Sequence, residues 1–211
     1  MKFTHPWHDM VAPIWSGLFT WMEKDQKHPV LDYLEVGSFE GASACQMIKL
    51  MGEGTVTCVD PWDMDYKDSL GEHATRDYDM VVVRDRFYTN VNEALVGTEV
   101  GLEVHQDLSK LTLPDLYLQH GYAYDWIYID GSHHAADVLL DGLLAWEMLR
   151  PGGLLIFDDY IWKPGGKFNP NETPKFAIDT FVTLKFDELR ILPFQSRQVY
   201  VQKYSEVKPK S

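Results

Sequence analysis

The chain has 211 residues, with 19 Lys and Arg against 32 Asp and Glu and a formal net charge of −13. That length suits one α/β domain with a sizeable core and is too short for two full domains. The acidic balance speaks against nucleic acid or an anionic membrane as a partner, though a small anionic ligand can still bind where local fields oppose the global one.

The N-terminal stretch MKFTHPWHDM has no apolar core of a secretion signal, and no run of about 18 apolar residues follows anywhere. A cytoplasmic setting without a membrane span is expected. Residues 9–24 carry Val11, Trp15, Leu18 and Met22 at helical spacing, which predicts an amphipathic helix packed on the domain within residues 1–29. His28-Pro29 breaks that pattern. LDYLEVG (31–37) is a short apolar run ending in Gly; Ala44, Met47, Ile48 and Met51 then repeat at helical spacing, and TVTCVD (55–60) is a second strand. Together they make a β-α-β unit. Cys45 and Cys58 both lie in these apolar segments, outside any CxxC pair, and are expected as buried small hydrophobes.

Residues 61–86 are charged and lack a clear period, which suits an active-site loop or a partly helical insertion. A helix is expected from Phe87 to Leu95 and a third strand from Gly101 to His105. DWIYID (125–130) is a continuous apolar strand ending in Asp, as buried parallel strands are. A helix over 134–149 stops at Pro151-Gly152-Gly153, and LLIFDD (154–159) is another buried strand. After a Pro- and Gly-rich loop (162–174) come a helix (175–184) and a hairpin of strands near 188–192 and 198–203. The expected fold is α/β: a Rossmann-like, doubly wound, mostly parallel seven-stranded sheet with an antiparallel edge strand and helices on both faces. The domain is expected over 30–205, with a disordered tail at 206–211.

Open α/β sheets bind ligands at the carboxyl ends of their strands, and three pieces fall there. The first is Glu35-x-Gly37-Ser38-Phe39-Glu40-Gly41, in which Gly37 permits a sharp turn and Gly41 a close helix start. The second is Asp60, at the end of the second strand, where a carboxylate can take two ribose hydroxyls. The third is Asp107 and Ser109, placed after the third strand to meet an adenine edge. The missing third glycine, with Phe39 in the middle, argues against a dinucleotide pyrophosphate. Glu35 argues the same way, since an acid suits a cationic amino group better than phosphates.

LEVGSFEG, CVDPW, YDWIYIDGSH and LRPGGLLIFDDY, in that order, resemble class I S-adenosylmethionine-dependent methyltransferases. The nearest group is the small-molecule O-methyltransferases of the macrocin and cephalosporin-pathway type, with a more distant likeness to catechol O-methyltransferase. The resemblance runs over roughly residues 30–203. It implies S-adenosylmethionine as cofactor, with Glu35 near the methionine through water or backbone, Gly37 and Gly41 facing methionine and ribose, Asp60 on the ribose and Trp62 beside the adenine; Ser38 and Asp130 are expected among the cofactor-binding residues as well. Many class I enzymes carry Gly where this chain has Phe39.

Asp130 ends one strand, and Asp158 and Asp159 end another. If those strands are neighbours, about 5 Å separates them, and three carboxylates so placed repel unless a cation sits among them. Mg²⁺ or another divalent cation takes such ligands. Successive strand residues point to opposite faces, so Asp158 and Asp159 can share one ion only if the chain leaves strand geometry there; otherwise they merely terminate the strand. His133, in IDGSHH, is a natural base near neutral pH, and in similar macrolide-sugar methyltransferases the matching His is proposed as the base. A structural hydrogen bond holding the loop is the other possibility.

The reaction expected is metal-assisted O-methylation of a hydroxyl on a small molecule. Trp7, Trp15 and the 161–174 loop are candidate walls or lids, with core packing the equal alternative for the two Trp. A metal-independent N- or C-methyltransferase and a nucleotide- or NAD-binding module remain as alternatives, and the N-terminal aromatics could support a homodimer.

Overall fold

The computed structural model describes residues 1–62, 78–121, 123–167 and 169–205. The 61–86 insertion therefore lies partly, and the 206–211 tail wholly, outside the described residues.

Seven strands form one sheet: β1 (Asp32–Val36), β2 (Glu53–Val59), β3 (Glu99–His105), β4 (Tyr124–Ile129), β5 (Leu149–Phe157), β6 (Leu189–Leu192) and β7 (Val199–Lys203). Their order is β3-β2-β1-β4-β5-β7-β6. The first five run parallel, β7 is antiparallel to β5, and β6 is antiparallel to β7, so the terminal hairpin closes one side of the sheet. The strand order reverses between β1 and β4, the place where such sheets open a crevice for ligands.

Among the described residues six α-helices cover both faces: α1 (Ala12–Lys24), α2 (Ala42–Met51), α3 (Met80–Leu95), α4 (Ser109–His120), α5 (Ala135–Met148) and α6 (Pro174–Leu184). Strand alternation divides the core. Tyr33, Trp126, Tyr128 and Ile156 pack toward one side with Trp15, Met22, Met47, Ile48 and Phe87. Leu34, Val36, Ile127 and Ile129 pack toward the other with Leu113, Trp146 and Phe181. All six residues of β4 are buried, as its unbroken apolar run requires. Trp15 is fully buried, its indole ring against Trp126 and Tyr128. Of the two readings open for it, wall or core, it is core. Cys45 and Cys58 are buried and unpaired.

Helix α3 begins earlier than its periodicity suggests because the Asp79 carboxylate accepts from the Val81 and Val82 amides and caps it. Helix α4 has no counterpart in the sequence reading. Pro114 sits inside it, and only Thr112, Leu113 and Leu116 are buried, too few for an apolar stripe. Among the described residues no helix is long and apolar enough to cross a membrane.

At the end of the sheet opposite the ligand crevice, Asp125 clamps three segments. Its carboxylate accepts from the Leu31 and Asp32 amides at 3.0 Å each, from Arg150 at 2.8 Å and from His28 at 3.1 Å. Burial by itself raises this carboxyl, but the bonds from His28, Arg150 and Leu31 outweigh it and hold Asp125 below the usual range. A depressed carboxyl stabilises the fold above its unfolded value of about pH 4, and the contribution is lost as pH falls through the lower folded value. Asp125→Ala should therefore lower the unfolding free energy at pH 7 by about 3 kcal/mol. Urea titrations at neutral and acid pH should show the gap from wild type narrowing below about pH 4.

Candidate active site

The parallel ladder continues one residue past each strand. Asp130 N–H donates to Val36 O, Asp158 N–H to Ile129 O, Gly37 N–H to Val59 O and Asp60 N–H to His105 O. These bonds align four candidate residues, Gly37, Asp60, Asp130 and Asp158, along one edge of the sheet.

Gly37 has φ +87°, and a Cβ there would lie 2.1 Å from the Asp130 carbonyl oxygen. Only glycine permits both the turn and the crossing. The loop that leaves β1 thus rests directly on the segment that leaves β4. Gly41 also has positive φ, and a Cβ there would press on Phe87 at 2.9 Å and Val91 at 3.2 Å. Its bareness lets α3 close on the start of α2.

Asp60 ties this loop down. Its Oδ2 accepts from the Ser38 and Phe39 amides, each at 2.9 Å, and its Oδ1 from the Trp62 amide at 2.8 Å. Burial nevertheless leaves its carboxyl raised, the three N–H bonds pulling the other way. A carboxylate offers about four lone-pair positions, so among the described residues one on Oδ1 stays open. Asp60 can take one ribose hydroxyl without giving up a backbone bond, where two were expected. Trp62 is buried rather than open to an adenine: its ring lies against Phe87 and Tyr88 and its indole N–H donates to Phe39 O at 2.8 Å. Phe39 itself has φ +47°, a left-handed turn that Asp60 and Trp62 together hold.

Glu35 differs most from its expected place. It is wholly buried, and its Oδ-equivalent oxygens, Oε1 and Oε2, face the core: Oε2 accepts from Tyr33 OH at 2.8 Å and Ser43 Oγ at 2.7 Å, with Cys58 Sγ 3.6 Å from Oε1. Burial raises its carboxyl. Strand alternation aims it under α2, so it braces the loop from below and offers no surface to a ligand. Ser38 is buried too, and its side chain helps hold the Glu35 carboxylate, working against the effect of burial. Asp107 is exposed after β3, its Oδ1 taking the Leu108 amide at 2.7 Å. The Ser109 hydroxyl, at the start of α4, bonds the buried Asp141, whose carboxyl burial pushes up to about 7.

Carboxylate oxygens of Asp130, Asp158 and Asp159 all lie within 4.8 Å of one another. Asp159 has φ +54°, so the chain leaves strand geometry between the two neighbours and both acids turn to one place. Tyr128 OH contacts Asp130 Oδ2 at 2.8 Å and also Asp158 Oδ2. One hydroxyl proton serves one acceptor, so the second contact needs another proton or a cation. Asp130 is raised well above the carboxylate range by burial and then by the charges of Asp158 and Asp159. Arg197, unremarked in the sequence, supplies part of the compensation: its Nε is 3.0 Å from Asp158 Oδ1, its Nη2 donates to Asp158 Oδ2 at 3.1 Å and its Nη1 is 3.7 Å from Asp159. His133 Nε2 is 2.9 Å from Asp159 Oδ2, and the imidazole stacks on Trp162 with centroids 4.1 Å apart. Nothing in the local sequence flags Arg197 or Gln198, because they join the site through the antiparallel return of β7.

A comparison with protein families matches residues 34–160 to a methyltransferase domain. The chain belongs to this methyltransferase family. A comparison with curated protein sequences finds no match. Among solved structures, the O-methyltransferase TomG of Streptomyces achromogenes, from tomaymycin synthesis and in complex with S-adenosylmethionine, is 14 % identical with a TM-score of 0.64, covering 92 % of this chain and 80 % of its own. An O-methyltransferase from Bacillus cereus with S-adenosylhomocysteine is 16 % identical with a TM-score of 0.61, covering 91 % and 81 %. MycE, of the mycinamycin biosynthetic pathway, with Mg and S-adenosylhomocysteine, is 16 % identical with a TM-score of 0.58; the match covers 97 % of this methyltransferase and 51 % of MycE. At these identities the likeness establishes a shared fold.

Proposed function

We propose that this methyltransferase transfers a methyl group from S-adenosylmethionine to a hydroxyl of a small molecule, with Mg²⁺ or another divalent cation at the acid cluster. The observation that carries the reading is the contact of Gly37 with the Asp130 carbonyl. It makes the glycine loop and the acid cluster two walls of one crevice.

The residues fit both groups. On the cofactor side, Asp60 Oδ1 has one open position among the described residues, and Asp107 is exposed after β3, the side proposed for the adenine. S-adenosylmethionine supplies an electrophilic methyl on a sulfonium. On the cation side, three carboxylates face one guanidinium, and the repulsion that raises Asp130 is what a cation would relieve. A divalent cation there lowers the pKa of a coordinated hydroxyl.

His133 is placed to take the acceptor proton. The carboxylate of Asp159 can only accept a hydrogen bond, so the proton of the neutral imidazole sits on Nε2 and Nδ1 is the basic nitrogen. Trp162 fixes the ring plane from one side. Trp162 and Trp7, the latter against His5 and Phe39, are the aromatic surfaces offered to an acceptor. Arg197 also favours a second reading, a metal-independent N- or C-methyltransferase in which the guanidinium and one shared proton settle the acids.

Chelation separates the two. It should abolish turnover while S-adenosylhomocysteine affinity changes little, because cofactor and cation use different residues; full turnover in chelator leaves the second reading. His133→Ala should reduce kcat by about a hundredfold or more, read under cofactor-saturating conditions, with cofactor affinity retained.

A further inference from the structure

Phe39 occupies a backbone position that glycine alone fills without strain. Its φ is +47°, the left-handed region in which a Cβ crowds the carbonyl that follows. A bulky residue persists there only where its surroundings over-determine it. Asp60 and Trp62 fix the peptide groups on either side of Phe39, but neither bond meets its ring. Trp7 does, with centroids 5.3 Å apart and planes tilted by 37°, and Tyr78 does edge-on at 5.4 Å. His5 stacks on Trp7 at 4.4 Å and bonds the Tyr78 hydroxyl. Three rings from outside the glycine loop thus close on the one ring within it.

Trp7 is exposed, so its own burial does not hold it in place. Glu40, the residue after Phe39, holds the segment that carries it. The Glu40 carboxylate is buried; Oε2 accepts from the Thr4 amide at 2.5 Å, and Oε1 from the Thr4 hydroxyl at 2.5 Å and from Arg86 of α3. Arg86 also donates to the Thr4 hydroxyl oxygen. Asn90, one turn further along α3, is buried as well. Its two amide hydrogens go to the Glu40 and Lys2 carbonyls, each at 2.9 Å, and its Oδ1 accepts the Lys2 amide at 2.8 Å. Each of these protons has its own acceptor. Residues 2–4 are therefore latched to the glycine loop and to α3 together, and Trp7 follows Thr4 closely in the chain.

We infer that Glu40 is a positioning residue for the cofactor: by latching residues 2–4 it holds Trp7 against Phe39 and so keeps the left-handed turn that aligns the Ser38–Gly41 loop for S-adenosylmethionine. The strap supplies from outside the stability that a glycine at position 39 would not need. Glu40 acts through Phe39, since its carboxylate is taken up by Thr4 and Arg86. The consequence is one of affinity. A loop free to leave the turn must be ordered again when the ligand binds, and affinity falls with the fraction of time it is out of place. This rests on the S-adenosylmethionine reading given above.

The test is a double-mutant cycle on the full-length protein, read as the dissociation constant of S-adenosylhomocysteine by isothermal titration, with thermal unfolding followed in parallel. Glu40→Gln should weaken binding by about tenfold and Trp7→Ala by about fivefold. Phe39→Gly should bind within about threefold of wild type, and in that background each of the other two substitutions should change affinity by less than about twofold, because glycine has no left-handed strain for the strap to offset. Trp7→Ala, which removes an exposed ring, keeps the inference testable if Glu40→Gln does not fold. A lowered melting temperature with unchanged affinity in the single variants makes the strap structural only and overturns the inference. Equal weakening with and without Phe39→Gly overturns it, as does loss of binding in Phe39→Gly alone. A folded wild-type protein that takes up no S-adenosylhomocysteine overturns the cofactor reading and the latch together.

Discussion

Three carboxylates held within 4.8 Å of one another set the terms for the rest of this molecule. Their repulsion at the ends of β4 and β5 has to be met locally, in a place where burial weakens the help of water. The fold meets it by bringing in groups distant in sequence. Arg197 and Gln198 come from the return of the hairpin, Tyr128 from within β4, and His133 from the loop before α5. The antiparallel hairpin has this role because only a strand entering beside β5 from the ligand end can place its first residues against Asp158. Trp15 and Gln198 extend the arrangement to α1, so the N-terminal helix is joined to the site chemistry as well as to the core.

The neighbouring half of the crevice is built on backbone. Gly37 crosses the end of β4 at a distance no side chain tolerates, and Asp60 gathers the amides of Ser38, Phe39 and Trp62. Glu40 secures the outer side, accepting from Thr4 and Arg86, while Asn90 of α3 bonds both the Glu40 carbonyl and the Lys2 backbone. The N-terminal residues thus belt the loop from outside while Glu35 and Ser43 brace it from within. A loop held at so many points is preorganised for a ligand that needs backbone contacts, and such preorganisation is where positioning in methyl transfer originates.

Much of this was legible in the sequence because strand ends are marked by chemistry. Apolar runs closing on Gly37, Asp60 and Asp130 gave β1, β2 and β4 and placed the acids at one edge. The Asp158-Asp159 pair carried an explicit geometric condition, a departure from strand alternation, and the left-handed Asp159 supplies it. What escaped was set by tertiary partners. Helix α4 lacks an apolar stripe and contains Pro114, so periodicity could not show it. Glu35 reads as a ligand residue until alternation and the Tyr33 and Ser43 hydroxyls are seen to enclose it. Trp62 reads as a wall beside the adenine, and Trp15 as wall or core alike, because an aromatic gives no hint of which face it meets. Arg197 was invisible because its partners lie 38 and 39 positions earlier in the chain.

The central claim is that the β1–α2 loop and its supporting carboxylate receive S-adenosylmethionine rather than a dinucleotide. Isothermal titration of the full-length protein with S-adenosylhomocysteine and, separately, with NAD⁺ tests it most directly. The account predicts saturable binding of one S-adenosylhomocysteine per chain, with a dissociation constant on the order of micromolar, and no heat with NAD⁺. Saturable binding of NAD⁺, or none of S-adenosylhomocysteine by a folded protein, would contradict it.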